Sequence, residues 1–449
     1  MLNIIEKKLE NATMELQIDV PVERVESEYQ AVFNKLKNIV KIDGFRKGKA
    51  PLQMVEARFR EEADQEVAEN LLKSVFLQAV EEKQLTPIAF PKYHFDKISR
   101  DAPFSFTATF ETPPTIELGR YKGIAADEQV CEIDDTTVKS EINAIRERFA
   151  KIDKKDEDAV VENGDMVNLK VKRIDDVEES KREGLEFKEY QIVVGKSSDD
   201  SALDKHVGGM KLDEEKEVDV KYPKDYYLSD LAGQKVKYLV KIGAINTMEL
   251  PELDEEFAKK LGYETVEEFK SKTRDHLEKY VLEKTKGDAK AQILKQVVED
   301  SAYEIPDSMI LSEMDRLFKR TCDSVGYQTN NIEEFAGLMG IDPGAFADQL
   351  RQEATQTIKT TLALSEISRK EEMKVDETKY REVLENIAKR NNKTVEEIEK
   401  IITENDSRGN IETELLLDGA MDFIYENAKI KKLKPISFDE FTKNRGRRS

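Results

Sequence analysis

The spacing of apolar residues switches repeatedly along this chain between the period of a strand and that of a helix, and this pattern limits the folds open to it. Apolar residues alternate from Met14 to Val20 and from Phe104 to Phe110, which predicts two half-buried strands. Between these stretches, apolar residues recur at helical spacing in two separate stripes. Alternation returns between Val161 and Asn246, and from Leu250 onward almost every stretch follows the helical period. The sequence therefore predicts a multidomain α+β protein.

The chain is predicted to have four parts. A proline-rich break marks the first boundary, and the changes in apolar spacing mark the others. At 449 residues the chain exceeds what a single hydrophobic core supports. The break is Glu111–Thr115 (ETPPT), where both apolar patterns stop. We expect an N-terminal α/β domain over residues 1–112, an arm and linker over 113–157, a sheet-rich insertion over 158–246 and an all-helical C-terminal domain over 247–449. The charged run KIDKKDEDAVVENGD is interpreted as solvated linker.

Charge and cysteine usage exclude several classes of protein. The chain carries 72 Lys and Arg residues against 93 Asp and Glu, a net charge of −21, which argues against general binding to nucleic acid or an anionic membrane. Its start, MLNIIEKKLENATMEL, lacks the apolar core of a secretory signal, and no run reaches the length of a membrane span. Two cysteines, Cys131 and Cys322, fit a reducing compartment. We therefore expect a cytoplasmic protein with no membrane partner.

The sequence contains no pattern typical of metal, nucleotide or hydrolytic chemistry. His94, His206 and His276 stand apart from one another and from the cysteines, so each is predicted to be an ordinary residue. The glycine pair at residues 208–209 lacks the rest of a phosphate-binding fingerprint. Neither a metal nor a small-molecule cofactor is expected.

One short stretch, GFRKGKAP at residues 44–51, departs from the acidic average. From Lys35 to Lys49 there are six basic residues and one acidic residue. The glycines and the proline predict a loop between two helices, and loops on rigid scaffolds often carry binding residues. The cations can pair with phosphates or carboxylates, and the phenylalanine can fill a pocket. The loop is therefore interpreted as a small anchor that binds one particular partner. Its residues are Gly44, Phe45, Arg46, Lys47, Gly48, Lys49 and Pro51.

GFRKGKAP matches the GFRxGxxP signature of bacterial trigger factor, and the chain resembles that family along its whole length. The helical region opens with ELPELDEEFAKKLG, as that resemblance requires. The resemblance implies a ribosome-associated chaperone whose N-terminal domain docks through this loop beside the nascent-chain exit of the large subunit. It further implies that the insertion is an FKBP-type peptidyl-prolyl isomerase (rotamase) domain and that the helical domain cradles unfolded chains with its arms. Roles in protein folding, protein transport and cell division are implied as well.

The insertion departs from the family at the isomerase pocket. Lowering the roughly 18–20 kcal/mol barrier to X-Pro rotation needs a dry, aromatic pocket that grips the twisted imide. Where the family has I-P-G-F-E, this chain has DSALD, which puts Asp200 at the Ile position and Leu203 at the Phe position, and Val171 replaces a further aromatic. The remaining candidate walls are Tyr226, Tyr238 and, on a looser alignment, Phe187 or Leu185. The catalytic candidates are thus Leu203, Tyr226 and Tyr238, with activity predicted to be weak or lost.

Client binding is assigned to scattered apolar residues of the helical region. A chain without a nucleotide motif must bind its clients weakly, at several points and reversibly, without ATP. The candidates are Phe318, Met339, Phe346, Phe423 and Tyr425, and their helical spacing leaves a core role open for each one. The basic segment Lys429–Ser449 is interpreted as a frayed, solvated tail.

Three functions stay open on the sequence. The chain is a ribosome-docked chaperone that still isomerises prolines, a pure holdase whose insertion is a spacer or extra client surface, or an RNA-binding factor that uses the basic loop and tail. The residues at Asp200–Leu203 favour the holdase, and the overall acidity weighs against RNA binding. The expected partners are the large ribosomal subunit and unfolded nascent polypeptides, and a homodimer off the ribosome stays open.

Overall fold

The computed structural model describes residues 2–43, 45–156, 158–175, 186–197, 202–224, 226 and 231–446. The chain forms two compact units, one of residues 1–126 with 289–430 and the other of residues 127–288 with 431–449. Helices dominate the C-terminal region and a sheet occupies the middle of the chain, which confirms the predicted multidomain α+β class.

The N-terminal part of the first unit is a four-stranded antiparallel sheet with three helices. Its elements are β1 (Asn3–Lys8), β2 (Thr13–Val20), α1 (Val22–Ile39), α2 (Leu52–Arg58), α3 (Arg60–Glu82), β3 (Lys92–Phe95) and β4 (Phe104–Glu111). The strands lie in the order β1-β2-β4-β3. Both predicted strands and both predicted helical stripes are therefore confirmed.

The register of this sheet explains why its sequence alternates. Leu16 pairs with Ala108 and Ile18 with Phe106, so the apolar side chains of β2 and β4 lie on one face. These side chains form one buried cluster with the apolar stripes of α1 and α3. Val55 of α2 belongs to the same cluster, so this core fixes both α1 and α2, between which the basic loop lies.

Helices form most of the remainder of the first unit. They are α7 (Asp307–Ser324), α8 (Ile332–Met339), α9 (Pro343–Lys370), α10 (Glu377–Asn391), α11 (Val395–Glu404) and α12 (Arg408–Glu426). One detail of the all-helical prediction is wrong, because β13 (Ala302–Glu304) pairs with β5 (Thr115–Glu117). The extended segment after the proline break needs partners for its backbone groups, and β13 supplies them.

A five-stranded sheet and flanking helices form the second unit. The elements of the unit, with those that run across its borders, are β6 (Ala125–Glu128), β7 (Cys131–Glu132), α4 (Asp135–Arg148), β8 (Lys151–Lys154), β9 (Met166–Arg173), β10 (Lys188–Val193), β11 (Glu215–Lys221), β12 (Lys235–Glu249), α5 (Glu255–Lys260) and α6 (Val266–Glu299). The sheet has the order β10-β9-β12-β11, and β8 pairs with the end of β12. Its alternating residues are buried in a core of their own, as predicted.

The start of the charged segment is not the solvated linker that its composition predicted. Lys151–Lys154 forms β8, whose backbone pairs with Asn246–Glu249 of β12. Lys155 N–H then donates to the Ile245 carbonyl at 3.0 Å. Backbone pairing overrides the charged side chains here, because those side chains remain exposed while the main chain joins the sheet.

A buried carboxylate holds this junction. Asp165 is almost fully buried, and its Oδ2 accepts hydrogen bonds from Lys155 Nζ at 2.7 Å and from the Glu162 backbone N–H at 2.7 Å. Lys155 also donates to Glu162 at 2.6 Å, and its pKa is raised, above all by the hydrogen bond to Asp165. The charge of Lys155 is thus compensated inside the fold.

Replacing Asp165 with alanine should destabilise the sheet by about 3 kcal/mol, because it removes a buried acceptor from both the half-buried Lys155 ammonium and the Glu162 backbone N–H. Hydrogen exchange of the β12 amides in the full chain measures the loss. Glu217→Ala is the matched control, since Glu217 pairs with Lys237 at the surface and should cost about 0.5 kcal/mol or less. Equal losses in the two variants would contradict this account of the junction.

The basic C-terminal segment is ordered as far as it is described, so its interpretation as a frayed tail is wrong. It forms β14 (Lys429–Lys432), β15 (Ile436–Ser437) and α13 (Phe438–Gly446). Strand β15 pairs in parallel with β7, and Phe441 is buried. Arg445 forms an ion pair with Asp288. The basic composition of this segment does not indicate these partners, because they lie far away in the sequence.

Among the helices in the described ranges, none has the length and apolar character that crossing a membrane requires.

Candidate functional sites

The basic loop between α1 and α2 has a packed base and an exposed tip. Ile42 and Ala50 are buried in the N-terminal core. The Phe45 N–H donates to the Ile42 carbonyl at 3.1 Å, and the Lys49 N–H donates to the Arg46 carbonyl at 2.9 Å. Two tight turns therefore shape the loop before any partner binds.

The glycines and the proline of the signature have distinct roles. Gly48 adopts a φ of 80°, in the left-handed region that side chains disfavour. Pro51 is extended, with φ −60° and ψ 139°, and ends the loop immediately before the first residue of α2. Gly44 lies outside the described residues. The signature thus combines a turn that glycine adopts without strain with a rigid exit into the helix.

The cations at the tip are available to a partner. Arg46, Lys47 and Lys49 are exposed, as is Phe45. Within the described part of the chain, these three cations make no side-chain hydrogen bond or ion pair. Asp43 lies 3.7 Å from Arg58, in a largely exposed pair. The loop therefore presents positive charge and one aromatic ring to solvent.

An arginine clamp holds the two helices that carry the loop. Arg100 Nε donates to Glu26 Oε2 of α1 at 2.5 Å, and Arg100 Nη1 lies 3.2 Å from Glu56 Oε1 of α2. Hydrogen bonding by Arg100 lowers the pKa of Glu26 to about 2, so this carboxylate stays charged at neutral pH. The basic loop consequently starts and ends on fixed helices.

The sheet of the second unit contains a cavity of about 640 Å³ that brings the three catalytic candidates together. Leu203, Tyr226 and Tyr238 all line it. The hydroxyls of Tyr222 and Tyr238 lie 3.0 Å apart, and the rings of Tyr222 and Tyr226 have centroids 4.6 Å apart. The pocket is therefore walled by tyrosines.

Two of these walls were missed by sequence reasoning. Tyr190 of β10 lines the cavity, whereas Phe187 lies elsewhere, beneath Lys172 Nζ at 4.4 Å. Leu185 lies outside the described residues. Tyr222 also lines the cavity, although its alternation with the β11 residues indicated only a strand. The pocket is more aromatic than the alignment of DSALD indicated.

The non-aromatic part of the cavity lining differs from a dry prolyl pocket. Val171 and Leu203, which replace aromatic residues of the family pattern, both line the cavity. Asp204 is buried beside them, and its Oδ2 accepts a hydrogen bond from the Ser197 backbone N–H at 3.0 Å. Its Oδ1 has no hydrogen-bond partner among the described residues. The acid assigned to the Ile position, Asp200, lies outside the described residues.

Phe318 is a core residue, which corrects its assignment as a client contact. It is 5% exposed and packs edge-on against Phe335, with ring centroids 5.6 Å apart. Phe346 is half-buried against the same cluster, with centroids 5.6 Å from Phe335. Helical spacing identified the apolar face of α7 but could not tell an inward face from an outward one.

Phe423 and Tyr425 are half-buried on α12 and each has a lysine over its ring. Lys122 Nζ lies 4.9 Å from the Phe423 centroid, and Lys290 Nζ lies 6.0 Å from the Tyr425 centroid. Both rings pack against the buried cluster shared by α9 and α12. Their contacts are mainly internal.

Met339 is the candidate that the structure leaves open to solvent, with 51% of its surface exposed. It ends α8, where Gly340 adopts a φ of 69° and stops the helix. Leu338 and Ile341 on either side are exposed too, as is Leu311 on α7. We call Leu311, Leu338, Met339 and Ile341 the α7–α8 apolar set.

Two family models of bacterial trigger factor protein match the chain. One describes the N-terminal part and covers residues 2–145, and the other describes the C-terminus and covers residues 265–426. The first includes the basic loop and the second includes the α7–α8 apolar set. The sheet with the cavity lies between the two matched ranges.

Curated relatives match over almost their whole length. Trigger factor of Acetivibrio thermocellus is 31% identical over 428 residues, 95% of this chain and 99% of the relative. Trigger factor of a Geobacillus species is 30% identical over 427 residues, 94% of this chain and 98% of the relative. Trigger factor of Staphylococcus epidermidis is 29% identical over 417 residues, 92% of this chain and 95% of the relative.

A solved structure supports the fold. It comes from work titled "Promiscuous Substrate Recognition in Folding and Assembly Activities of the Trigger Factor Chaperone", and it matches with a TM-score of 0.51 at 19% identity, over 94% of this chain and 99% of that chain. These comparisons place the chain in a class of multidomain proteins with an N-terminal and a C-terminal trigger factor part. The chain belongs to the trigger factor family, since relatives at 30% identity or more match nearly end to end.

Proposed function

We propose that this chain docks on the large ribosomal subunit through the loop at residues 44–51 and holds unfolded nascent chains there without ATP. The observation that carries the proposal is an exposed phenylalanine among unpaired cations, on a loop whose base is buried. The loop gives an otherwise acidic chain a local positive surface, which attracts the negative charge of the large subunit. Co-sedimentation of the full chain with ribosomes tests docking, and the complex should weaken as salt rises because the ionic contacts are partly exposed.

The client surface is proposed to include the α7–α8 apolar set. Exposed apolar side chains framed by charged residues bind unfolded segments weakly while the chaperone remains in solution. Met339 belongs to this set, and Phe346, Phe423 and Tyr425 contribute at most their half-exposed edges. Phe318 is left out because it is buried.

The sheet-rich middle is proposed to be an FKBP-type domain that serves chiefly as a client-binding module. Its tyrosine-walled cavity can hold an apolar side chain, whereas the buried Asp204 carboxylate and the aliphatic residues Val171 and Leu203 disfavour a twisted imide. This favours a holdase over an efficient isomerase. We also propose the domain boundaries given by the sequence, a cytoplasmic location and a homodimer off the ribosome.

Prolyl isomerisation by the full chain should be close to the uncatalysed rate. A peptide assay measures it, with an ordinary FKBP-type enzyme as the positive control. Leu203→Phe should raise the rate, because a ring at this position restores aromatic surface that grips the imide. Acceleration by the parent chain equal to that of the positive control would show that the four tyrosines suffice and that Val171 and Leu203 do not limit the reaction.

A further inference from the structure

Three large apolar side chains are exposed where α1, the basic loop and α2 meet. Ile39 is 56% exposed, Phe45 39% and Met54 45%. Ile39 is the last residue of α1, and Met54 lies in the first turn of α2. We call these three residues the apolar rim.

The apolar rim is held outward by the packing of its neighbours. Ile42 and Ala50 fill the core beneath the loop, and Val55, next to Met54, is fully buried. Because Phe33 and Leu36 take the inward positions on α1 and Val55 takes that position on α2, Ile39 and Met54 are left on the outer side of these helices. Their exposure is therefore a fixed property of the folded helices.

The apolar rim adjoins the unpaired cations of the loop. Arg46, Lys47 and Lys49 project from the segment that connects Ile39 to Met54. A surface of this composition fits a partner that offers both acidic groups and an apolar patch. A bare RNA backbone would use only the cations, whereas three apolar side chains bury their surface against an apolar patch on a protein.

We infer that Ile39 and Met54 are docking residues, which contact an apolar protein surface of the large subunit beside the place where the loop binds. This inference rests on the proposed docking through residues 44–51 and assigns it two further contacts outside the signature. Apolar contacts supply affinity that salt does not screen, whereas the cations supply affinity that salt weakens.

Ribosome affinity measured against salt concentration separates these contributions. Ile39→Ser with Met54→Ser should weaken binding about tenfold at every salt concentration and leave the salt dependence parallel to that of the parent. Leu77→Ser is the matched control, since Leu77 is 64% exposed on α3 of the same domain and should bind as the parent does. Circular dichroism of each variant verifies that the helices are intact.

The inference is overturned by unchanged affinity in the double variant, by a shallower salt dependence, or by an equal loss in Leu77→Ser. A triple variant, Phe45→Ala with Arg46→Ala and Lys47→Ala, separates the proposed docking through the loop from the inferred contacts of Ile39 and Met54. If that triple variant loses binding and the double serine variant does not, only the apolar contacts are wrong. If the triple variant still binds as the parent does, the proposed docking itself is wrong.

Discussion

Replacing Phe45, Arg46 and Lys47 together with alanine should abolish co-sedimentation with ribosomes and leave the chain folded. All three side chains are exposed, so their removal opens no cavity in the core. The variant loses two unpaired cations and the only aromatic ring of the loop, which are the groups that can meet a charged partner. The fraction of protein that pellets with ribosomes measures the effect.

A matched control separates this loop from the general charge of the domain. Phe90, Lys92 and Lys97 form an equivalent exposed set of one phenylalanine and two cations on the N-terminal domain. Alanine at these three positions should leave co-sedimentation unchanged. Equal loss in both triple variants would mean that charge and apolar surface act without regard to position.

Replacing the whole α7–α8 apolar set with serine should remove most of the suppression of aggregation of a denatured model protein. Binding through several weak contacts means that one serine changes little, whereas four serines remove all four exposed apolar side chains of the set. Light scattering of the client in the presence of each full-length variant measures protection.

The control for this second expectation uses exposed apolar residues elsewhere. Leu77 and Leu282 are 64% and 54% exposed, and serine at both positions should preserve protection. Ribosome co-sedimentation of the α7–α8 variant should also be preserved, since the set lies far along the chain from the loop. Full protection by the α7–α8 variant would move the client surface to another part of the chain.

Local periodicity was sufficient to predict most secondary structure. The alternation in β2 and β4 follows from a sheet with one buried face, and the stripes of α1 and α3 follow from helices that pack against it. These features depend on near neighbours in sequence. The loop was also predictable, because glycine, proline and charge all act locally there.

Long-range partners account for the errors. The strand β8 forms because the end of β12 lies beside it, and nothing in the letters KIDK shows that partner. Phe318 was misassigned because its burial depends on Phe335, which approaches from another helix. Tyr190 was missed because the cavity gathers residues from β9, β10, β12 and the segment around Leu203.

Photo-cross-linking from position 45 tests the central claim of ribosome docking most directly. A photoreactive phenylalanine replaces Phe45 in the full chain, the chain is mixed with ribosomes and irradiated, and the subunits are then separated. The account predicts adducts with a component of the large subunit, whereas the same probe at Tyr190, which is half exposed on β10, reports background. No adduct from position 45 above the Tyr190 background, or adducts confined to the small subunit, would contradict docking through this loop.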